Sequence, residues 1–139
     1  MKKLYTATIV NTGGRNGRSV SPDGSFAVDV VQPRELTGQD TTATNPEQLF
    51  AAAYSACFHG ALAAVLEKAR VKHDGSTVTV DVHLLEDPDD GGWMLGADIR
   101  AEIRGVEAAQ AEKYVALAHK MCPYSKAIRG RFEVTTGVV

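Results

Sequence analysis

Two cysteines, Cys57 and Cys122, are the side chains of this 139-residue sequence best suited to covalent chemistry. Two are too few for a disulfide scaffold, and a reducing compartment would not sustain a structural bridge. They are therefore either buried and inert, or a working redox pair. Cys57 falls on the apolar face of a long helical stretch, where a free cysteine ordinarily serves as a small core side chain. A reactive Cys57 would need help to ionise, because a thiol with a pKa of about 8.5 is only a few per cent thiolate at neutral pH. The helix dipole cannot supply that help. Its influence fades within the first turn, and Cys57 lies about three turns beyond the cap. A separate cation is required, and the turn Gly13-Gly14-Arg15-Asn16-Gly17-Arg18 can present Arg15 or Arg18 inward.

Other chemistries fit the residues less well. Cys57, His59, His119 and Cys122 are four conceivable zinc ligands, but residues two apart on a helix point roughly 200° away from each other. Cys57 and His59 therefore cannot easily converge on one ion. A cysteine hydrolase needs a histidine base and an orienting acid, and His59, His73, His83 and His119 form no recognisable constellation with Cys57. The glycine-rich turn lacks the lysine-serine ending and strand-loop-helix setting of a phosphate cradle.

The elements that must position these residues follow from patterning. Leu4–Val10 is β-rich and runs into the turn at 11–17; a short strand near Arg18–Ser21 follows, then Pro22-Asp23-Gly24 turns the chain. Phe26, Val28 and Val30 alternate in a third strand. The polar stretch from Gln32 to Thr44 is long for a loop. Asn45-Pro46-Glu47-Gln48 is a helix start, with Asn45 as cap, Pro46 in the first helical position and Glu47 complementing the dipole. From there apolar residues recur at helical spacing through Leu66, predicting a long amphipathic helix that ends before Asp74-Gly75. Val78–Leu84 and Leu95–Ile103 alternate as a hairpin around an Asp-, Pro- and Gly-rich turn. A second helix spans about Glu107 to Met121 and stops at Cys122-Pro123. A strand near Arg131–Thr136 closes the chain. The order βββ-α-ββ-α-β predicts one α+β domain over 1–139 with mainly antiparallel pairing.

Composition narrows the class further. An apolar fraction of 44% and a charged fraction of 23% are those of a soluble globular protein. A formal net charge of −2, with basic residues scattered, gives no reason to expect nucleic acid or an anionic membrane as partner. Met1-Lys2-Lys3 leads into no apolar signal region, and Ser55, His59 and Gly60 interrupt the stretch from Leu49 to Leu66 as a membrane span. The expected location is the cytoplasm.

The run Thr44-Asn45-Pro46-Glu47-Gln48-Leu49-Phe50-Ala51-Ala52-Ala53-Tyr54-Ser55-Ala56-Cys57-Phe58 resembles the first signature of the organic hydroperoxide resistance proteins, within the OsmC-like superfamily. Cys122-Pro123-Tyr124-Ser125 resembles the second, and the turn Gly13–Gly17 fits as well, so the resemblance spans essentially the whole chain. It implies an intertwined homodimer, with antiparallel sheets around long central helices. It makes Cys57 the thiol that attacks an organic hydroperoxide and Cys122 the thiol that resolves it by forming a disulfide. Arg15 becomes the cation that activates Cys57, and Glu47 the residue that holds Arg15. The implied reductant is a dihydrolipoyl group on another protein; neither metal nor cofactor is implied.

These roles make physical sense. A guanidinium at about 4 Å, with an effective dielectric constant near 20, contributes about 4 kcal/mol, roughly three pK units downward. Burial pushes a thiol up by a comparable amount, so the arginine must be held close. Leu49, Phe50, Phe58 and Met121 are candidates for an apolar lining that favours alkyl hydroperoxides over hydrogen peroxide. Two rival readings remain: an OsmC-type peroxidase with broader peroxide use, and a non-enzymatic redox sensor whose cysteine pair only cycles. Dithiol-dependent turnover, compared between cumene hydroperoxide and hydrogen peroxide, separates all three.

Overall fold

Alternating apolar residues and turn-forming glycines produce two small sheets, each built in its own part of the chain. The computed structural model describes residues 1–131 and 133–139, which divide into two compact units, Met1–Leu49 and Phe50–Val139.

In the first unit, β1 (Val10–Thr12), β2 (Gly17–Val20) and β3 (Ala27–Val30) form an antiparallel meander in the order β1-β2-β3. Val10 faces Val20, and Gly17 faces Val30. The β1–β2 connection is a single 3-10 turn, Gly14–Asn16, entered through Gly13 in the left-handed region at φ 88°. Asn11 fastens it: its side chain accepts the Gly14 N–H at 2.9 Å and donates to the Ser19 hydroxyl at 3.0 Å. Any side chain at Gly17 would run into the Thr12 carbonyl oxygen and the Gly13 backbone, so this corner admits only glycine. The ladder begins at Val10 rather than Leu4, and Leu4 and Tyr5 are exposed. The β-rich run at Leu4–Ile9 has strand propensity, but a strand forms only where its backbone groups find partners. The stretch read as a loop from Gln32 to Thr44 contains a four-residue helix, α1 (Arg34–Thr37), entered at Pro33 and closed by Gly38 at φ 72°. One turn is too short to leave a periodic signature.

Helix α2 (Pro46–Lys68) starts as the cap residues predict, with Asn45 Oδ1 accepting the Gln48 N–H at 2.8 Å. It stops at Lys68, short of Asp74. Arg70, at φ 54°, takes the left-handed position, while the N–H groups of Arg70 and Val71 bond the carbonyls of Glu67 and Leu66. This closing motif normally uses glycine at that position, and here an arginine takes it, with the helix ending before Asp74-Gly75 as its spacing predicts. Tyr54, Phe58, Leu62, Val65 and Leu66 are buried along one face, but Ala52, Ala56, Gly60, Ala63 and Ala64 are exposed on the other. The helix is thus apolar nearly all round rather than amphipathic. By length and composition alone it could cross a membrane, so its polar interruptions do not exclude a span; its buried face is that of a core helix.

In the second unit, β4 (Ser76–Glu86) and β5 (Trp93–Ile103) pair antiparallel along their full length. After α3 (Ala108–Met121) and α4 (Pro123–Ile128), β6 (Val134–Val138) returns parallel to β5. Three of the four strand pairings among the described residues are antiparallel. The sequence placed the last strand at 131–136; part of that range, Phe132, lies outside the described residues. Ala97, Ile99, Ala101 and Ile103 of β5 form one core with the buried face of α2 and with Ala111, Val115 and Ala118 of α3. The intervening β5 residues make cross-strand polar contacts, an ion pair of Arg100 with Asp81 at 2.5 Å and a hydrogen bond between His83 and Asp98 at 3.0 Å. Helix α4 is absent from the sequence expectation. Pro123 does end α3, but it also occupies the first position of the next helix, where its missing N–H costs nothing.

Candidate thiol site

Cys57 projects from α2, and Cys122 sits at the junction where α3 ends and α4 begins. Their sulfurs are 3.7 Å apart, with the Cys122 thiol donating to Cys57 Sγ, and both cysteines are free. Cys122 is fully buried; Cys57 is half-buried. Burial pushes the Cys57 thiol above its ordinary pKa, and the neighbouring Cys122 pushes it the same way. The Tyr124 backbone N–H, near the start of α4, opposes them by favouring the thiolate. Within its own unit, then, the thiol stays protonated more strongly than a free one.

Beside the cysteines lies an aromatic group of which sequence reasoning offered only Phe50 as a lining residue; Tyr54 and Tyr124 were not given a place in the site. Tyr54 stacks on Tyr124 at 5.8 Å, and Phe50 meets both rings edge-on at 5.9 Å. The Tyr54 hydroxyl shares a 2.8 Å hydrogen bond with the Ser125 hydroxyl. The available signal was spacing: Tyr54 stands three residues before Cys57, and Ser125 three after Cys122. Without α4, that second spacing had no geometric meaning. Phe58, offered as a lining residue, is fully buried in the core and lines no open surface; Met121 is exposed. A residue on the core-facing side of α2 cannot also face substrate.

In the first unit, the glycine turn holds Arg15 against Glu47 in a two-pronged ion pair, with Nη2 to Oε1 at 2.7 Å and Nη1 to Oε2 at 3.0 Å. The carboxylate raises the guanidinium pKa, and the guanidinium lowers that of Glu47, so both stay charged. Arg18, the other cation of the turn, pairs instead with Asp29 at 2.6 Å, and both are exposed. The structure thus brings together Cys57 with Cys122, and Arg15 with Glu47.

The histidines are engaged elsewhere. His59 bonds the Ser76 hydroxyl at 2.9 Å, and His73 accepts the Gly75 N–H at 3.1 Å. His119 packs near the Phe58 ring, its pKa lowered by burial and then by Arg129. No group of three or more His, Cys, Asp or Glu able to hold a metal occurs among the described residues.

A family model described as OsmC-like protein matches residues 38–137. The chain is 44% identical over 135 residues to organic hydroperoxide resistance protein-like 2 of Staphylococcus epidermidis, covering 97% of this chain and 95% of that protein. It is 44% identical over 136 residues to organic hydroperoxide resistance protein OhrA of Bacillus subtilis, covering 97% and 96%. Among solved structures, the organic hydroperoxide resistance protein OsmC of Legionella pneumophila superposes with a TM-score of 0.91 at 43% identity, covering 99% of this chain and 98% of that one. Bacillus subtilis OhrB gives 0.89 at 40% identity, covering 99% and 100%. The chain therefore belongs to the organic hydroperoxide resistance proteins of the OsmC-like family.

Proposed function

We propose that this protein is a thiol peroxidase that reduces organic hydroperoxides to alcohols, with Cys57 as nucleophile and Cys122 as resolving thiol. The observation that carries this reading is the 3.7 Å approach of two free thiols, one half-buried and one fully buried. An inert core cysteine needs no such partner. The names of its relatives support organic hydroperoxide detoxification.

In this scheme the Cys57 thiolate attacks the terminal oxygen of ROOH. The O–O bond breaks, the departing alkoxide takes a proton to become ROH, and Cys57 is left as a sulfenic acid. The Cys122 thiol then displaces water from that sulfur, forming the 57–122 disulfide. A dithiol, in our reading a dihydrolipoyl group on a partner protein, reduces the disulfide and is itself oxidised. Because burial raises the Cys57 pKa, the first step needs a cation held at contact distance. Arg15 suits this role, since Glu47 grips it with both oxygens and fixes its plane. The same guanidinium would stabilise charge on the breaking peroxide.

Glu47 and Cys57 lie on one unbroken helix, ten residues or about 15 Å apart along the axis. We therefore assign the activating pair to the partner subunit of a homodimer. The exposed small residues along α2 and the unpaired, exposed Leu4 and Tyr5 are surfaces such a dimer would cover. Dimerisation would complete a single cytoplasmic domain fold without metal, cofactor, nucleic acid or membrane, in a compartment that keeps both thiols reduced.

Turnover with dihydrolipoamide tests the reading. Cumene hydroperoxide should be reduced much faster than hydrogen peroxide, and peroxide-treated protein should yield an intramolecular 57–122 crosslink by mass spectrometry. Absence of the crosslink would remove the two-cysteine mechanism. Equal rates on both peroxides would move the protein to the broader OsmC-type activity.

A further inference from the structure

The resolving cysteine is not carried by a continuous helix. Cys122 adopts φ −57° and ψ 124°, an extended link that ends α3 and caps α4, so helix continuity does not set the direction of α4. Side-chain contacts contribute to it. Arg129, at the end of α4, donates to the His119 carbonyl of α3 at 3.3 Å; the polar side-chain contact between α2 and α4 among the described residues is the Tyr54–Ser125 hydrogen bond, and both residues are fully buried. Burial first, and after it both sulfurs, raise the Tyr54 phenol pKa, so the bond sits beside the thiols it would align. Closing the disulfide requires the sulfurs to move from 3.7 Å to about 2.05 Å. Small errors of placement are costly in such a step: a displacement of ~1 Å can slow a reaction ~100-fold.

We propose that Tyr54 and Ser125 are positioning residues for the resolving step, a buried polar staple between the two cysteine-bearing elements that keeps Cys122 within reach of oxidised Cys57. The proposal rests on the thiol-peroxidase reading above. Its consequence is that Cys57 sulfenic acid condenses with the Cys122 thiol, releasing water, before a second peroxide can convert it to the sulfinic acid.

The test uses reduced full-length protein mixed with cumene hydroperoxide, quenched at intervals with dimedone and resolved by mass spectrometry. In Tyr54→Phe and Ser125→Ala, sulfenic acid should form within about twofold of the wild-type rate, while disulfide closure slows about tenfold. Dimedone adduct and sulfinic acid on Cys57 should rise accordingly. Each single variant leaves a buried hydroxyl unpaired, so a loss of thermal stability is expected in both. The double variant Y54F/S125A removes that penalty and should regain stability without regaining closure. Closure at the wild-type rate in the single variants, or closure returning together with stability in the double variant, would overturn the proposal. Where Tyr54→Phe does not fold, Ser125→Ala, which deletes one oxygen, gives the same two readings. A wild-type protein that forms no 57–122 disulfide would instead remove the functional reading on which this one rests.

Discussion

Arg15 and Cys57 pose the main electrostatic question at the residue scale. Burial and the adjacent Cys122 thiol raise the Cys57 pKa, and a raised thiol pKa means less thiolate at neutral pH and a reaction that accelerates as pH rises. A fixed guanidinium reverses this. With Arg15 in place, alkylation of Cys57 should reach its plateau at lower pH than without it, so that in Arg15→Ala the profile moves to higher pH. Peroxide reduction at pH 7 should then fall at least about tenfold, since one pK unit is worth about 1.4 kcal/mol. Arg15→Lys should recover little, because an ammonium cannot occupy both Glu47 oxygens in one plane. Arg18→Ala should leave the profile unchanged, its side chain being paired with exposed Asp29. Iodoacetamide rates against pH, with stopped-flow kinetics, measure all of this. Wild-type titration in Arg15→Ala would take arginine out of the mechanism.

Helix α2 sets the problem at the scale of elements. Its N-terminal cap and its proline at the first position start a 23-residue helix in which Glu47 and Cys57 stand ten residues apart. In our proposal, assistance to Cys57 from the Arg15–Glu47 pair comes across subunits. Mixed dimers of Cys57→Ser and Glu47→Ala chains read this directly. Each parent should be nearly inactive. The mixture should recover activity, because one of its two sites combines an intact Cys57 with the partner subunit's Glu47. No recovery on mixing would show that each chain activates its own thiol.

At the scale of the whole molecule, the distribution of apolar surface predicts assembly. Helix α2 exposes Ala52, Ala56, Gly60, Ala63 and Ala64, and nothing lies near the position a Cβ would take at Gly60. Leu4, Tyr5 and Ile9 are exposed as well, along backbone that has strand propensity but no place in the sheets. Burying such surfaces against a second copy would give an interface of about 2,000 Å² or more, the size of permanent partners. Sedimentation should show a dimer down to nanomolar concentration, with unfolding that depends on protein concentration. A stable, fully active monomer would contradict it.

Much of this was legible from local pattern. The Asn45-Pro46 cap, the alternation in β4 and β5, and the arginine in a glycine turn are properties of neighbouring residues, because capping, pleat and left-handed backbone are decided within a few positions. So was the candidacy of Cys57 and Cys122, since a thiol's nucleophilic character belongs to the side chain itself. Tertiary structure decided what depends on residues far apart in the chain. It placed the two sulfurs 3.7 Å apart across 65 residues and chose Glu47 for Arg15 and Asp29 for Arg18. It also set β6 parallel to β5 and turned Pro123 from the end of one helix into the start of another. Tyr54 and Ser125 make the same point: each hydroxyl is unremarkable in sequence, and only burial against the other makes the pair a fixed contact, since a hydroxyl removed from water must find its partner wherever the fold provides one.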